Sequence, residues 1–191
     1  MVQKRKILGG PDLIFITLGT SRYPFYRIFY FLDKILIKNN LKIRLIVQSN
    51  SKDKYQWRYK NVKVYNLLSE KKIISFIKKA KKIISHGGPG SIFLTSQFSK
   101  FQPLIISRLK KYNEHIDDHQ YFYCRFLKEK INFDLDNYFI LNDDLKLMEK
   151  KIYSYLTSSP IKNKLKNFFN FKINNNFIKN LNSYIKNDKN I

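Results

Sequence analysis

The chain has 191 residues, of which 43% are hydrophobic and 16% aromatic, so it can bury one sizeable core. Lys and Arg outnumber Asp and Glu by 37 to 14, a net charge of +23, but this apolar content excludes a disordered basic tail. Cys124 is the only cysteine, which excludes an intramolecular disulfide and a multi-cysteine zinc site and points to a reducing compartment.

The first half of the chain alternates short apolar runs with apolar residues at helical spacing. Residues 1–12 are basic and lack the apolar run of a signal peptide, so we interpret them as a basic extension. The elements predicted after them are strand 13–18, helix 23–38, strand 42–48, strand 62–67, helix 69–80 and strand 82–85. None of these runs reaches the ~18 apolar residues that a membrane-spanning helix requires.

The second half continues the alternation of strands and helices. Its predicted elements are helix 91–98, strand 103–107, helix 118–130, strand 137–141 and helix 143–156. This alternation of strands and helices predicts a doubly wound parallel α/β sheet, and we assign this domain to residues 13–159. Residues 160–191 are rich in Lys and Asn but keep apolar residues at helical spacing, which predicts a basic amphipathic tail.

The apolar face of that predicted tail would be a liability in an isolated chain. We therefore expect it to be covered by a membrane-bound partner or by anionic lipid. Folding of the tail back on the domain is the alternative.

Ligands of open parallel sheets bind beyond the carboxyl ends of the strands, so the loops at those ends are the candidate site. The first such loop holds Gly19 and Thr20, where a glycine allows close backbone approach and a hydroxyl can donate to phosphate. An ordinary turn and helix cap would use the same residue types.

The second loop, residues 85–91, has three glycines in four positions between a buried strand and a helix. Its backbone N–H groups and the following helix N-terminus suit a diphosphate. The spacing matches neither a P-loop nor the dinucleotide-binding pattern. A tight turn in which His86 is merely hydrogen-bonded is the alternative interpretation.

The third loop, residues 112–120, packs carboxylates, two imidazoles and an amide into an otherwise basic chain. Such groups suit hydroxyl recognition or acid/base chemistry. Two alternatives remain: Asp117 or Asp118 as a helix cap with the rest solvated, or a metal site. The possible ligands of that metal are Glu114, His115, Asp118 and His119, although their spacing matches no familiar zinc motif.

Two motifs in this order, ISHGGPGS at 84–91 and PLIISRLKKYNEHIDDHQ at 103–120, resemble the nucleotide-sugar-binding half of GT-B glycosyltransferases. The family that they resemble is the glycosyltransferase family 28 C-terminal domain. IFITLGT at 14–20 is similar to the first strand and loop of its single-domain members. Those members are catalytic subunits of two-protein enzymes that build polysaccharides or lipid-linked oligosaccharides.

The resemblance implies a UDP-sugar donor bound by the three loops, with no metal and no further cofactor. The residues that it places at the donor are Gly19, Thr20, His86, Gly87, Gly88, Gly90, Ser91, Arg108, Asp118, His119 and Gln120. Glu114 and His115 are the candidate catalytic residues, and the general base is either Glu114 or a residue of a partner subunit. One position departs from the family: Leu94 stands where many relatives have a glutamate for the ribose hydroxyls, and leucine accepts no hydrogen bond.

From this resemblance we expect a UDP-sugar-dependent hexosyltransferase that acts on a lipid-linked saccharide at the cytoplasmic membrane face. A membrane-anchored partner subunit would provide the missing half of the cleft. Two other hypotheses stay open: a nucleic-acid-binding basic protein, and a degenerate paralogue without activity. Nucleic acid is the less favoured partner, because no RNA- or DNA-binding motif is visible.

Overall fold

The computed structural model describes residues 11–50, 55–131, 136–141 and 143–169. The six strands are β1 (Asp12–Thr17), β2 (Ile43–Gln48), β3 (Val62–Tyr65), β4 (Lys82–His86), β5 (Leu104–Ile106) and β6 (Phe139–Ile140). The helices are α1 (Tyr26–Lys38), α2 (Glu70–Lys79), α3 (Pro89–Phe98), α4 (His119–Lys130), α5 (Leu145–Thr157) and α6 (Leu165–Phe169). Short 3₁₀ turns occupy Lys110–Tyr112 and Asp136–Tyr138.

The six strands form one sheet in the order β3-β2-β1-β4-β5-β6, and every neighbouring pair is parallel. The strand order reverses between β1 and β4, where Thr17 lies opposite Ser85. The loops that leave these two strands therefore start side by side at the carboxyl edge of the sheet. This is the switch point at which doubly wound sheets bind ligands, and the predicted fold class is confirmed.

Alternating side chains of the buried strands supply the core on both faces of the sheet. Ile14 and Ile16 pack in a cluster with buried residues of α1 and α5. Phe15, between them, packs on the opposite face in a cluster that includes Ile77 of α2. Because strand side chains alternate in direction, one apolar run in β1 serves both layers of helices.

Most observed boundaries lie within a few residues of the predicted ones. The largest difference among the strands is β6, which is shortened to two residues because a 3₁₀ turn precedes it. At α5, the Asp144 carboxylate accepts a hydrogen bond from the Leu147 N–H at 2.9 Å. A capping side chain of this kind satisfies a first-turn donor, so it explains why the helix begins after Asp144.

The first ten residues of the predicted tail belong to the domain instead. Asn163 is buried, and its side-chain amide donates to the carbonyls of Thr95, Ser96 and Ser99 at 3.0 to 3.3 Å. Leu165 is fully buried beside α3 and α4 residues. The domain boundary predicted at 159 therefore moves to at least Phe169, because this segment satisfies the last carbonyls of α3.

The remainder of the predicted tail, from residue 170, lies outside the described residues, as do residues 1–10 of the predicted basic extension. Within the described ranges, no helix combines the length and apolar character that a bilayer crossing requires.

Candidate functional site

A cavity of about 800 Å³ lies at the carboxyl edge of the sheet, where β1 and β4 end. All three predicted loops contribute to it. The predicted site residues that line it are Gly19, Thr20, His86, Gly88, Gly90, Ser91, His115, His119 and Gln120. Four other predicted site residues, Gly87, Arg108, Glu114 and Asp118, are not part of its lining.

The His86 imidazole lies between two glycines of different loops. Gly19 has a φ of +71°, and a Cβ built on it would be 2.6 Å from His86 Nε2. A Cβ on Gly88 would overlap the same ring at Cε1. Glycine at both positions therefore makes room for the imidazole, and at Gly19 it also allows the left-handed backbone.

The hydrogen bonds of His86 assign its tautomer. Nδ1 lies 3.1 Å from the Gly88 N–H and 3.3 Å from Gln120 Oε1, and Nε2 lies 2.8 Å from Ser91 Oγ. We assign the ring proton to Nε2, because only that tautomer lets Nδ1 accept in the shorter contact, the one with Gly88. Burial lowers the pKa of His86 to about 4, with a further contribution from the Arg108 charge. The imidazole is therefore neutral at neutral pH and donates to Ser91.

The N-terminus of α3 faces the cavity. Gly88 is the N-cap and Pro89 the first helical residue, so the N–H groups of Gly90 and Ser91 belong to the first turn, which has no intrahelical acceptors for them. A Cβ on Gly90 would meet no atom within 4 Å. Open space beside first-turn N–H groups is the arrangement that binds anions at helix N-termini.

The lining divides into polar and apolar parts. No carboxylate belongs to the lining formed by the described residues. The apolar part consists of Leu67, Leu68, Ile73, Ile77, Phe93 and Leu94. Leu94 is half-buried and also packs against the cluster that holds Phe15 and Ile77, so it contacts both the cavity and the core.

Glu114 lies inside the protein, where it pairs with Arg27. Its two carboxylate oxygens accept from Arg27 Nε at 2.7 Å and Nη2 at 2.6 Å, and the Leu109 N–H donates to one of them at 3.0 Å. The residue is 2% exposed and does not reach the cavity. Since every close contact of this carboxylate is structural, we no longer assign it the role of general base.

Arg108 is also a structural residue. It is fully buried, and its guanidinium donates to the carbonyls of Leu18, Tyr23 and Glu114 at 2.9 to 3.0 Å. Burial lowers its pKa to about 10, which leaves it charged at neutral pH. Arg108 therefore ties the first loop to the third, instead of lying against a donor base or sugar.

The two remaining residues outside the lining have local structural roles. A Cβ on Gly87 would lie 2.8 Å from Cys124 Sγ, so this glycine permits the close approach of its loop to α4. The Asp118 carboxylate accepts from the Lys110 N–H at 2.8 Å. Neither residue contacts the space in which we expected the diphosphate and sugar.

Gln48, which the sequence analysis did not identify, supports the first loop. It is 2% exposed and lies at the end of β2. Its Oε1 accepts a hydrogen bond from the Thr17 hydroxyl at 3.1 Å, and its Nε2 donates one to the Gly19 carbonyl at 2.7 Å. A buried amide with both ends hydrogen-bonded fixes the backbone that it touches. The only sequence signal was a glutamine directly after the apolar run of a strand.

No protein-family model matches the sequence, and no curated protein matches it. Among solved structures, the glycotransferase of kitacinnamycin is 13% identical, with a TM-score of 0.50 over 81% of this chain and 38% of that one. The glycosyltransferase SnogD from Streptomyces nogalater is 16% identical, with a TM-score of 0.40 over 80% and 41% of the two chains. A putative UDP-N-acetylglucosamine 2-epimerase from Listeria monocytogenes is 13% identical, with a TM-score of 0.37 over 83% and 43%.

The chain thus spans about two fifths of the length of each of these proteins. The similarity to the glycotransferase of kitacinnamycin agrees with the strand order of the sheet. Both indicate a Rossmann-like fold of the kind that forms one half of a GT-B glycosyltransferase.

Proposed function

We propose that the chain is the donor-binding catalytic subunit of a glycosyltransferase that moves a hexose from a UDP-sugar to a lipid-linked saccharide. The observation that carries this proposal is the α3 N-terminus, which opens at Gly90 into the cavity at the switch point of the sheet. A nucleoside diphosphate fits such a site because its negative charge faces N–H groups and the positive end of the helix dipole.

The same N–H groups also stabilise the diphosphate as the leaving group. When the sugar–oxygen bond breaks, negative charge builds up on the UDP, and the N–H groups of Gly90 and Ser91 stabilise it. Because His86 Nε2 donates to Ser91 Oγ, the serine hydroxyl keeps its own proton for a phosphate oxygen. His86 thus positions Ser91, and its neutral state keeps this orientation at physiological pH.

Apolar side chains near the cavity support a role for a second subunit. Leu67 and Phe93 line the cavity yet are 63% and 48% exposed, and Ile116, between two histidines of the third loop, is 65% exposed. Exposed large apolar side chains at and near a cavity are typical of a surface that a partner covers. We propose that this partner is membrane-anchored, completes the cleft and presents the lipid-linked acceptor at the cytoplasmic face.

Gly90→Val tests the diphosphate site. The valine side chain will occupy the open space beside the first-turn N–H groups, and we expect UDP affinity, measured by calorimetry, to fall about 100-fold, an effect of roughly 2.7 kcal/mol. The melting temperature should change little, because no atom lies within 4 Å of the new Cβ. Gly90→Ala, which adds one methyl group, is the matched control and should lose less affinity.

Two outcomes would contradict the proposal: wild-type protein that does not bind UDP, or folded Gly90→Val protein that binds it as tightly as wild type. RNA added as a competitor tests the nucleic-acid hypothesis in the same titration. Displacement of UDP by RNA, or RNA binding without UDP binding, would favour that hypothesis.

Leu94→Glu tests whether this wall of the cavity contacts the ribose. A carboxylate there can accept the ribose hydroxyls, so we expect UDP affinity to rise by about 1 to 2 kcal/mol, the usual range for a charged hydrogen bond. Leu94→Gln is the matched control, since it has the same length without the charge. Unchanged UDP affinity in a folded Leu94→Glu protein would show that residue 94 does not contact the nucleotide. Leu94 would then be a residue of the core alone.

A further inference from the structure

Three metal-ligating side chains of the third loop converge at the cavity. His115, Asp117 and His119 each offer one ligand atom, and these atoms all lie within 4.8 Å of one another. In both histidines Nδ1 is the nitrogen that approaches Asp117 Oδ1. Both imidazoles approach the same carboxylate oxygen, His115 at 3.5 Å and His119 in a direct hydrogen bond. The two histidines line the cavity, and their rings meet edge to face at 4.4 Å.

The His115 nitrogen in this cluster is buried and makes no hydrogen bond within the described residues. A buried polar atom without a partner calls for a ligand, and its nearest polar neighbour is the oxygen that His119 already contacts. Imidazole nitrogens and carboxylate oxygens are the kinds of atom that bind transition metals.

We infer that His115, Asp117 and His119 form a binding site for a divalent transition metal of the Zn²⁺ class at the edge of the cavity. Two imidazole nitrogens and one carboxylate oxygen suit Zn²⁺ or Co²⁺ better than Mg²⁺, which prefers oxygen ligands. Three protein ligands also leave a coordination position open, as in zinc sites that bind substrate.

This inference revises the expectation of a metal-free protein and also the ligand set that the sequence suggested. Asp117 takes the place of Glu114 and Asp118, which the structure commits to Arg27 and to the Lys110 N–H. Metal binding at this site does not depend on the proposed transferase function. Its consequence for UDP does rest on that function, because a cation at the cavity edge would attract the diphosphate.

The test is a titration of the metal-stripped full chain with Co²⁺, followed by visible absorption, and competition with Zn²⁺. We expect Co²⁺ to bind with a ligand-field spectrum of mixed nitrogen and oxygen ligands. Asp117→Asn and His119→Asn should each weaken binding at least tenfold, and both positions are exposed enough to keep the fold. Asp118→Asn is the matched control: the neighbouring carboxylate faces Lys110, and this variant should bind as wild type does.

Absence of a Co²⁺ spectrum, or equal affinity in all four proteins, would overturn the metal site. UDP calorimetry with and without Zn²⁺ separates this failure from that of the proposed function. UDP binding without metal binding leaves the donor site and removes the metal site. Metal binding without UDP binding leaves the metal site and removes the donor site.

Discussion

Replacing Glu114 by alanine will lower the free energy of unfolding by about 3 to 5 kcal/mol, the range for removal of one partner from a buried ion pair. The variant leaves the Arg27 guanidinium, whose side chain is 8% exposed, without its counter-charge. It also leaves the buried Leu109 N–H without its acceptor. Chemical denaturation of wild type and variant measures the difference.

Glu129→Ala is the control, because it removes a carboxylate from another Arg–Glu pair of the same protein. Arg125 and Glu129 are 3.0 Å apart but about 60% exposed, so solvent already screens their charges. We expect no measurable change in stability from this variant. A Glu114→Ala protein as stable as wild type would refute the structural role and return Glu114 to the list of candidate bases.

The fold was predictable from the sequence because its signals are local. Each buried strand is a short β-branched run, and each helix repeats apolar residues at its own period, so type and order follow from a few residues at a time. The site's position follows as well: the loops after β1 and β4 carry the glycines, and parallel strands bring their carboxyl ends to one edge.

The roles of Glu114 and Asp117, two of the three acidic residues in the third loop, were not predictable in this way. The sequence shows Glu114 and Asp117 three residues apart in one polar loop, equally suited to chemistry. What separates them is Arg27, 87 residues earlier in the chain, which takes the Glu114 carboxylate into the interior. A contact of that range leaves no periodicity or spacing in the sequence, so residue type alone could not show that the Glu114 carboxylate is buried against Arg27.

The sequence also could not show which of the loop glycines leaves space for a ligand. Gly19, Gly87, Gly88 and Gly90 all fit a phosphate loop by type, but the space beside the first three holds protein atoms: His86 or Cys124. Of these four, Gly90 alone has open space at the position of a Cβ. Which glycine faces the ligand depends on how two loops pack, and that packing is set by the imidazole between them.

Acid will destabilise the protein through His86, by about 3 kcal/mol between pH 7 and pH 4 for this residue alone. The ordinary pKa of histidine, 6.5, applies to the unfolded chain, whereas burial lowers that of the folded protein to about 4. Above pH 6.5 both states are neutral and this contribution to stability is fully present. As pH falls from 6.5 to 4, the unfolded state binds a proton that the folded state does not, so unfolding becomes easier.

His86→Asn isolates this effect from the titration of the carboxylates. An asparagine oxygen can replace Nδ1 as acceptor for the Gly88 N–H, and asparagine does not titrate. Urea denaturation of both proteins at pH 7, 6 and 5 should show a steeper loss of stability for wild type, by up to about 1.4 kcal/mol per pH unit below 6.5. Parallel curves would mean that His86 is protonated as readily in the folded protein as in the unfolded chain. A protonated Nδ1 could not accept from the Gly88 N–H, so that result would also contradict this hydrogen bond.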